Sequence, residues 1–234
     1  MVRPLRAHSP SLTVDELLGQ AVWYQCISAV AREQVRADVI ERAIAIGDSL
    51  GRQGETQRWW FGVLEGLLKW SINAADGRTV TLGGQSVGSW FGEGTLLRGQ
   101  PRNAELIALR HSRVALIPYE TFDWLRHSEP DFNEFVLLQI NERLHWFMGN
   151  YAAHRLLDTG RLVARALVGL VHPLLNPRGE HYLMISQEEL ANLATVSRQR
   201  CNESLVAMKR DGLLQLDYGA VRVLDLRALQ QLAE

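Results

Sequence analysis

The chain has 234 residues, 47% of them hydrophobic and 22% charged, with a formal net charge of −1. This is ordinary globular composition, long enough for one large or two modest cores. Cys26 and Cys201 are the two cysteines and form no CxxC pair, which argues against a disulfide framework, a zinc site or a four-cysteine iron–sulfur cluster. No run approaches about 20 apolar residues, and the start, with Pro4, His8 and Pro10, lacks the apolar stretch of a secretory signal. A reducing cytoplasm and no membrane partner are expected.

Residues 14–37 carry helical periodicity through Leu17, Leu18, Ala21, Val22, Ile27, Val30 and Val35, which predicts one or two helices. From Val39 to Pro118 short apolar segments alternate with glycine-containing turns, including Gly47-Asp48, Gly83-Gly84 and Gly92 to Gly94. That punctuation predicts an all-β sandwich or barrel. Asp76-Gly77, between Lys69–Ile72 and Thr79–Leu82, is a hairpin signal. Trp59, Trp60 and Phe61 are expected to fill the core of this roll.

Pro130 and Asp131 start a helix that runs to about Leu157, some 42 Å at 1.5 Å per residue. Along it Leu137, Ile140, Leu144, Phe147, Tyr151 and His154 step by threes and fours, a seam held for almost three heptads. Such a seam needs a partner. The expectation is that one face lies on the roll and the opposite face pairs with a second copy of the chain. Asp158-Thr159-Gly160 breaks the helix, and another amphipathic helix begins at Arg161.

Ser186-Gln187-Glu188-Glu189 is a capping box, followed by Leu190, Leu193 and Ala194 on one helical face. Thr195-Val196 supply a turn, and Ser197 can cap a second helix. There Cys201, Leu205 and Met208 should face inward, leaving Arg198, Gln199, Asn202 and Glu203 outside. Lys209 and Arg210 suit the last turn, with Gly212 just beyond it. Residues 213–216 and 221–224 read as a hairpin around Asp217–Ala220. The whole is a winged helix-turn-helix in outline, and its polar face suits duplex DNA. Arg can take guanine with two bonds, Gln and Asn adenine, and Glu the cytosine amino group. From residue 159 onward, nine Arg or Lys face eight Asp or Glu. Binding would therefore rest on geometry and a few well-placed arginines more than on a basic footprint.

Gly88-Ser89-Trp90-Phe91-Gly92-Glu93 with Arg102-Asn103-Ala104 downstream, Leu157-Asp158-Thr159-Gly160-Arg161, and Val196-Ser197-Arg198-Gln199 stand in an order and spacing that resembles bacterial transcription regulators of the Crp/Fnr family. The resemblance spans about residue 14 to the end. It implies an α+β chain: an N-terminal cyclic-nucleotide-binding-type β-roll (1–129), a dimerisation helix (130–158) and a C-terminal winged helix-turn-helix (159–234). It further implies a homodimer reading a palindromic operator and working with RNA polymerase. Carried over by position, Arg198, Gln199 and Glu203 read bases, and Ser197, Arg200, Asn202 and Lys209 complete the DNA surface. Cyclic-AMP-responsive members favour Arg, Glu and Arg at the three reader positions, so Gln199 and Glu203 imply a different half-site.

The same resemblance places an effector among Gly92, Glu93, Arg102, Asn103, Phe147 and Met148, with Glu93 on a ribose hydroxyl and Arg102 on a phosphate. The alternative is that Glu93 and Arg102 pair with each other in a roll without a ligand, in a dimeric interaction protein with a degenerate sensor. Phe147 and Met148 stand where cyclic-AMP receptors carry Thr and Ser, which argues against that nucleotide. Heme is a further option, through His111, His127, His145, His154 or Cys26, although a lone histidine on a helix is more often a surface residue. An enzyme is not expected: the roll holds only His111 near its end, and there is no Gly-Lys-Ser/Thr loop.

Overall fold

The computed structural model describes residues 11–177 and 181–234, so the stretch containing Pro4, His8 and Pro10 lies outside the described residues. Three short helices come first, α1 (Val14–Gln20), α2 (Val22–Cys26) and α3 (Ala29–Asp38), where periodicity predicted one or two. Ala21 and Ile27 are extended, at ψ 122° and 160°, and each interruption resets the helical phase. As a result Leu17, Leu18, Ile27 and Val35 are buried while Val22 and Val30 are exposed.

The roll is two four-stranded antiparallel sheets. One runs β1 (Ile40–Ile44), β8 (Ser112–Pro118), β3 (Trp59–Glu65), β6 (Trp90–Phe91). The other runs β2 (Ser49–Gly51), β7 (Glu105–Ala108), β4 (Leu67–Asn73), β5 (Thr79–Ser86). The expected hairpin joins β4 to β5, with Ser71 opposite Thr81 and Asn73 opposite Thr79. Gly77 holds its turn at φ +84°, a conformation that glycine adopts without a Cβ penalty. A short helix, α4 (Glu93–Arg98), interrupts the chain between β6 and β7. Trp60 and Phe61 are buried and Trp59 is half-buried, so these aromatics fill the roll as expected. Trp23, Trp60 and Trp90 stack within 5.0 Å of one another, centroid to centroid. Phe122 on α5 (Tyr119–Ser128) and Phe132 close the cluster. Each such side chain contributes on the order of 1.5–3 kcal/mol by leaving water, and together they join the first helices to the roll.

The long helix α6 spans Pro130–Leu156, with Pro130 in its first turn. The face it buries is Phe132, Val136, Gln139, Arg143 and Ala153. The predicted seam divides: Leu137, Leu144, Tyr151 and His154 are exposed, whereas Ile140 packs on the roll core and Phe147 lies 6.1 Å from Trp70. The break after α6 is also tighter than expected. Asp158 caps α7 (Thr159–Leu170) by accepting from the Arg161 amide, so Thr159 and Gly160 lie inside that helix.

α8 (Gln187–Ala194) and α9 (Arg198–Arg210) form the helix-turn-helix. The Ser186–Glu189 capping box and the Ser197 cap are both present. Cys201, Leu205 and Met208 are buried, and Gly212 sits at φ +77° beyond α9. Burial pushes the Cys201 thiol up to about 11, as for a small apolar filler. The hairpin β10 (Leu214–Asp217) and β11 (Ala220–Val223) gains a third strand, β9 (Tyr182–Leu183), and a final helix, α10 (Leu226–Leu232), packs on α7. Leu67 of β4 joins this second core. Across the same junction Arg110 gives Glu189 two bonds of 2.7 Å, and the Asn176 amide oxygen accepts from the Ser86 amide at 2.9 Å.

Candidate nucleic-acid interface and sensor pocket

The turn between α8 and α9 is held at Thr195, whose φ of 56° makes it the one non-glycine residue with positive φ among the described residues. A β-branched residue there is strained, and the Val196 amide, bonded to the Ala191 carbonyl at 3.0 Å, helps hold the turn. This sets the start of α9 outward. Arg198, Gln199, Arg200, Asn202, Glu203 and Lys209 are all exposed. Arg198, Arg200 and Lys209 make no ion pair among the described residues. Gln199 donates to Glu203 at 3.1 Å, and Asn202 accepts from Gln187 at 2.9 Å. Ser197 is exposed as well, and its hydroxyl caps the helix by accepting from the Arg200 amide at 3.3 Å. The face thus offers three free cations beside a pre-aligned amide–carboxylate pair, the groups that can contact phosphates and base edges. Sequence reading located the wing hairpin but assigned none of its residues to the DNA surface. Tyr218 is fully exposed at its tip and Arg222 lies over the Tyr182 ring at 4.8 Å; an aromatic beside a turn glycine was the available signal.

The sensor residues do not pair as the ligand-free alternative supposed. Glu93 opens α4 behind Gly92, which sits at φ +103°, and is 2% exposed. Its partner is Arg143 on α6, whose Nε donates to Glu93 Oε1 at 2.8 Å while Nη2 donates to the Trp90 carbonyl at 2.7 Å. Gln139 also donates to that carbonyl. Glu93 Oε2 is buried with no partner among the described residues. Arg102 stays apart: its guanidinium lies 5.2 Å over Phe61 and fills the space beside Gly51, where a Cβ would meet it. Burial pulls its pKa down to about 10 against the opposing pull of Glu55, so it remains charged at neutral pH. Asn103 is exposed. Phe147 meets Trp70, but Met148 is exposed and fills no part of the pocket. His111, His127, His145, His154 and Cys26 are all exposed. Gln139 and Arg143 escaped sequence reading because polar residues on a helix default to a wet face.

Residues 41–129 match the cyclic nucleotide-binding domain and residues 161–232 the Crp-like helix-turn-helix domain. The transcriptional regulator LdrP of Thermus thermophilus is 30% identical over 194 residues, covering 76% of this chain and 89% of that regulator. The chain belongs to the Crp/Fnr family. It is a DNA-binding transcriptional regulator of that type, with a cyclic-nucleotide-binding-like domain ahead of its helix-turn-helix. The CRP-like cAMP-activated global transcriptional regulator of Mycobacterium tuberculosis is 23% identical over 224 residues, 94% of this chain and all of that one. Among solved structures, FixK2 of Bradyrhizobium japonicum superposes with a TM-score of 0.71 at 12% identity, over 84% of this chain and 98% of that one. A Crp/Fnr-family regulator from Eubacterium rectale gives 0.62 at 17% identity, over 91% and 97%. These two share the fold. No helix among the described residues is long and apolar enough to cross a membrane.

Proposed function

We propose that this regulator works inside the cell as a homodimer that reads a two-fold-symmetric operator, under the control of a small molecule held in the roll. The observation that carries this is the exposed stripe on α6. Leu137, Leu144 and Tyr151 recur every seven residues in solvent, with Met148 beside them. A helix that buries one face on its own roll and leaves a second apolar face open is built to meet its copy. Two α9 helices related by that axis reach major grooves one turn apart, about 34 Å. Arg198 and the Gln199–Glu203 pair then supply the base readers, and Arg200 and Lys209 the phosphate contacts. The three segments divide at 129/130 and 158/159. As an activator such a dimer would act beside RNA polymerase.

For the roll we infer an effector other than cyclic AMP. The Phe147 ring occupies the α6 face toward Trp70, and Met148 points away. Neither can bond a purine. What remains is a buried charged set, Glu93, Arg143 and Arg102, with one orphaned carboxylate oxygen, which suits a ligand that donates to Glu93 and carries an anion to Arg102.

The test is a gel shift on a palindromic duplex selected from random sequence, with sedimentation of the same samples. Leu144→Glu should convert dimer to monomer and abolish the shift. Arg198→Ala should keep the dimer, weaken binding by about 1–3 kcal/mol and relax one guanine position. A monomeric wild type that shifts no duplex would refute the reading.

A further inference from the structure

Val206 is an apolar residue on the polar face of α9. Cys201, Leu205 and Met208 hold the buried face of that helix. At about 100° per residue, the direction opposite them falls on Gln199, Glu203, Val206 and Arg210. Arg198, Asn202 and Lys209 flank this stripe on one side and Arg200 on the other. Among the described residues Val206 is the one large hydrophobic side chain of α9 that is exposed, at 53%. The fold does not call for it. It joins neither core, and valine is a poorer helix former than the alanine, lysine or glutamate that would suit a wet position. Single exposed apolar residues are common on protein surfaces, so it is the position and not the exposure that matters. Gln199, Asn202, Glu203 and Val206 stand at i, i+3, i+4 and i+7, the spacing by which a helix lying in the major groove reaches successive base edges.

We propose that Val206 is a specificity-determining residue that packs against the C5 methyl group of a thymine in the operator. This rests on the operator-reading dimer proposed above and adds a base to its half-site. Thymine is the base that carries a methyl group on its major-groove edge. A valine in a helix has one strongly preferred χ1 rotamer, so it presents its own methyls there at little ordering cost. Its neighbours set the register. Gln199 donates to Glu203 Oε1 at 3.1 Å, and since a carboxylate only accepts, this fixes which end of the amide faces Glu203. Gln199 Oε1 and Glu203 Oε2 make no hydrogen bond among the described residues. The pair therefore presents two acceptors, one of them on a carboxylate, which suit the amino group of cytosine or adenine and repel guanine O6 and thymine O4. From Glu203 to Val206 the helix rises about 4.5 Å, close to the roughly 3.4 Å between base pairs. The thymine thus stands about one base pair beyond that amino group.

The experiment uses the full chain and the palindromic duplex it selects from random sequence. Each half-site thymine is replaced in turn by deoxyuridine, symmetrically in both halves, and gel shift gives the Kd. The replacement removes the C5 methyl and leaves every hydrogen-bonding group in place. Burial of one such group corresponds to about fourfold per half-site, so one thymine position should show a loss of roughly fifteenfold. Val206→Ala should bind the thymine duplex more weakly by a similar factor and make no distinction between thymine and uracil at that position. Arg198→Ala should keep the distinction. Alanine is the better helix former at this exposed position, so the Val206 variant folds. A selected half-site without thymine, or a duplex on which no deoxyuridine matters by more than about twofold, overturns the proposal and leaves the operator reading intact. So does a Val206→Ala variant that keeps the wild-type preference for thymine. A chain that selects no duplex overturns the operator reading itself, and this assignment with it.

Discussion

Replacing Arg143 with Met should cost about 3 kcal/mol of stability, and replacing Glu93 as well should recover most of it. The side chains of the pair are 10% and 3% exposed and meet at 2.8 Å. Removing one partner of a buried ion pair costs about 3–5 kcal/mol, because the survivor is left charged and unpaired. Two details favour the lower end. The Trp90 carbonyl keeps its bond from Gln139 after Arg143 is lost, and Met preserves much of the packing on Trp70. Glu93 then has neither oxygen bonded among the described residues, since Oε2 is unpartnered already. For a chain of this size each kcal/mol moves the melting temperature by about 2–4 °C, so Arg143→Met should melt roughly 6–12 °C lower. The double variant Arg143→Met/Glu93→Met removes both charges and should lie within about 1 kcal/mol of the wild type, since apolar replacement of a buried pair is often neutral. Urea unfolding followed by tryptophan emission reads the right region, because Trp90 lies in the same core. A single-variant loss below about 1 kcal/mol, or a double-mutant cycle that is simply additive, would refute the argument that the pair is held by mutual neutralisation.

Two further outcomes concern the junction between the cores. Burial pushes the Glu189 carboxyl up, but the Arg110 fork and the Ser186 amide and hydroxyl outweigh it and hold its pKa below 4.5. The folded state thus binds fewer protons there, so the stabilisation is complete above about pH 4.5 and is lost as pH falls through the folded value. Arg110→Met should cost about 1.5–3 kcal/mol at pH 7, and the gap from wild type should narrow progressively as pH falls below 4.5, measured by paired urea titrations. His172 is pushed below 6.5 by burial, with Arg143 adding to this and Glu142 opposing it. Its Nε2 donates to Glu142 at 3.2 Å while Nδ1 accepts from the Leu174 and Leu175 amides, so the neutral ring satisfies every partner. Protonation would set a second N–H against two others. Stability should therefore decline as pH falls below about 6.5 and level off below the folded value; His172→Gln should flatten that slope in melts from pH 7 to 5.

What was legible in the sequence follows from which residues obey local rules. Ser186, Glu189, Ser197 and Gly212 act within four residues of themselves, so caps and turns located both helices of the helix-turn-helix closely. The Asp76-Gly77 hairpin was readable for the same reason. The α6 seam splits between two faces, because a heptad count cannot say which of two apolar faces a roll will cover. Ile140 and Phe147 lie on one and Leu144 and Tyr151 on the other. The sensor failed differently. The partner of Glu93 lies 50 positions along the chain and is an arginine on a helix, which spacing assigns to water. The third strand of the wing rests on two residues, Tyr182 and Leu183, too few for any period. The last helix did leave a signal in the Asp225 cap and in Leu226, Leu229 and Leu232 at intervals of three.

The relation between sensor and helix-turn-helix is set by side chains and not by the connection between them. The chain passes from α6 to α7 through Leu157 and Asp158 alone, a joint that could swing. It is clasped instead by packing. Trp146 of α6 lies on Gly169 of α7, where a Cβ would come within 2.7 Å of its ring, and Arg165 of α7 lies on Gly149 of α6. Each helix thus lends a large side chain to a glycine on the other, and sliding one past the other means lifting both. On the far side Glu189 closes the α8 capping box through Oε2 and receives Arg110 on both oxygens. Displacing the β7–β8 turn therefore loads the first turn of α8 directly. A swing of the helix-turn-helix away from the roll must break both clasps. That is the condition for a discrete two-state change rather than a graded one.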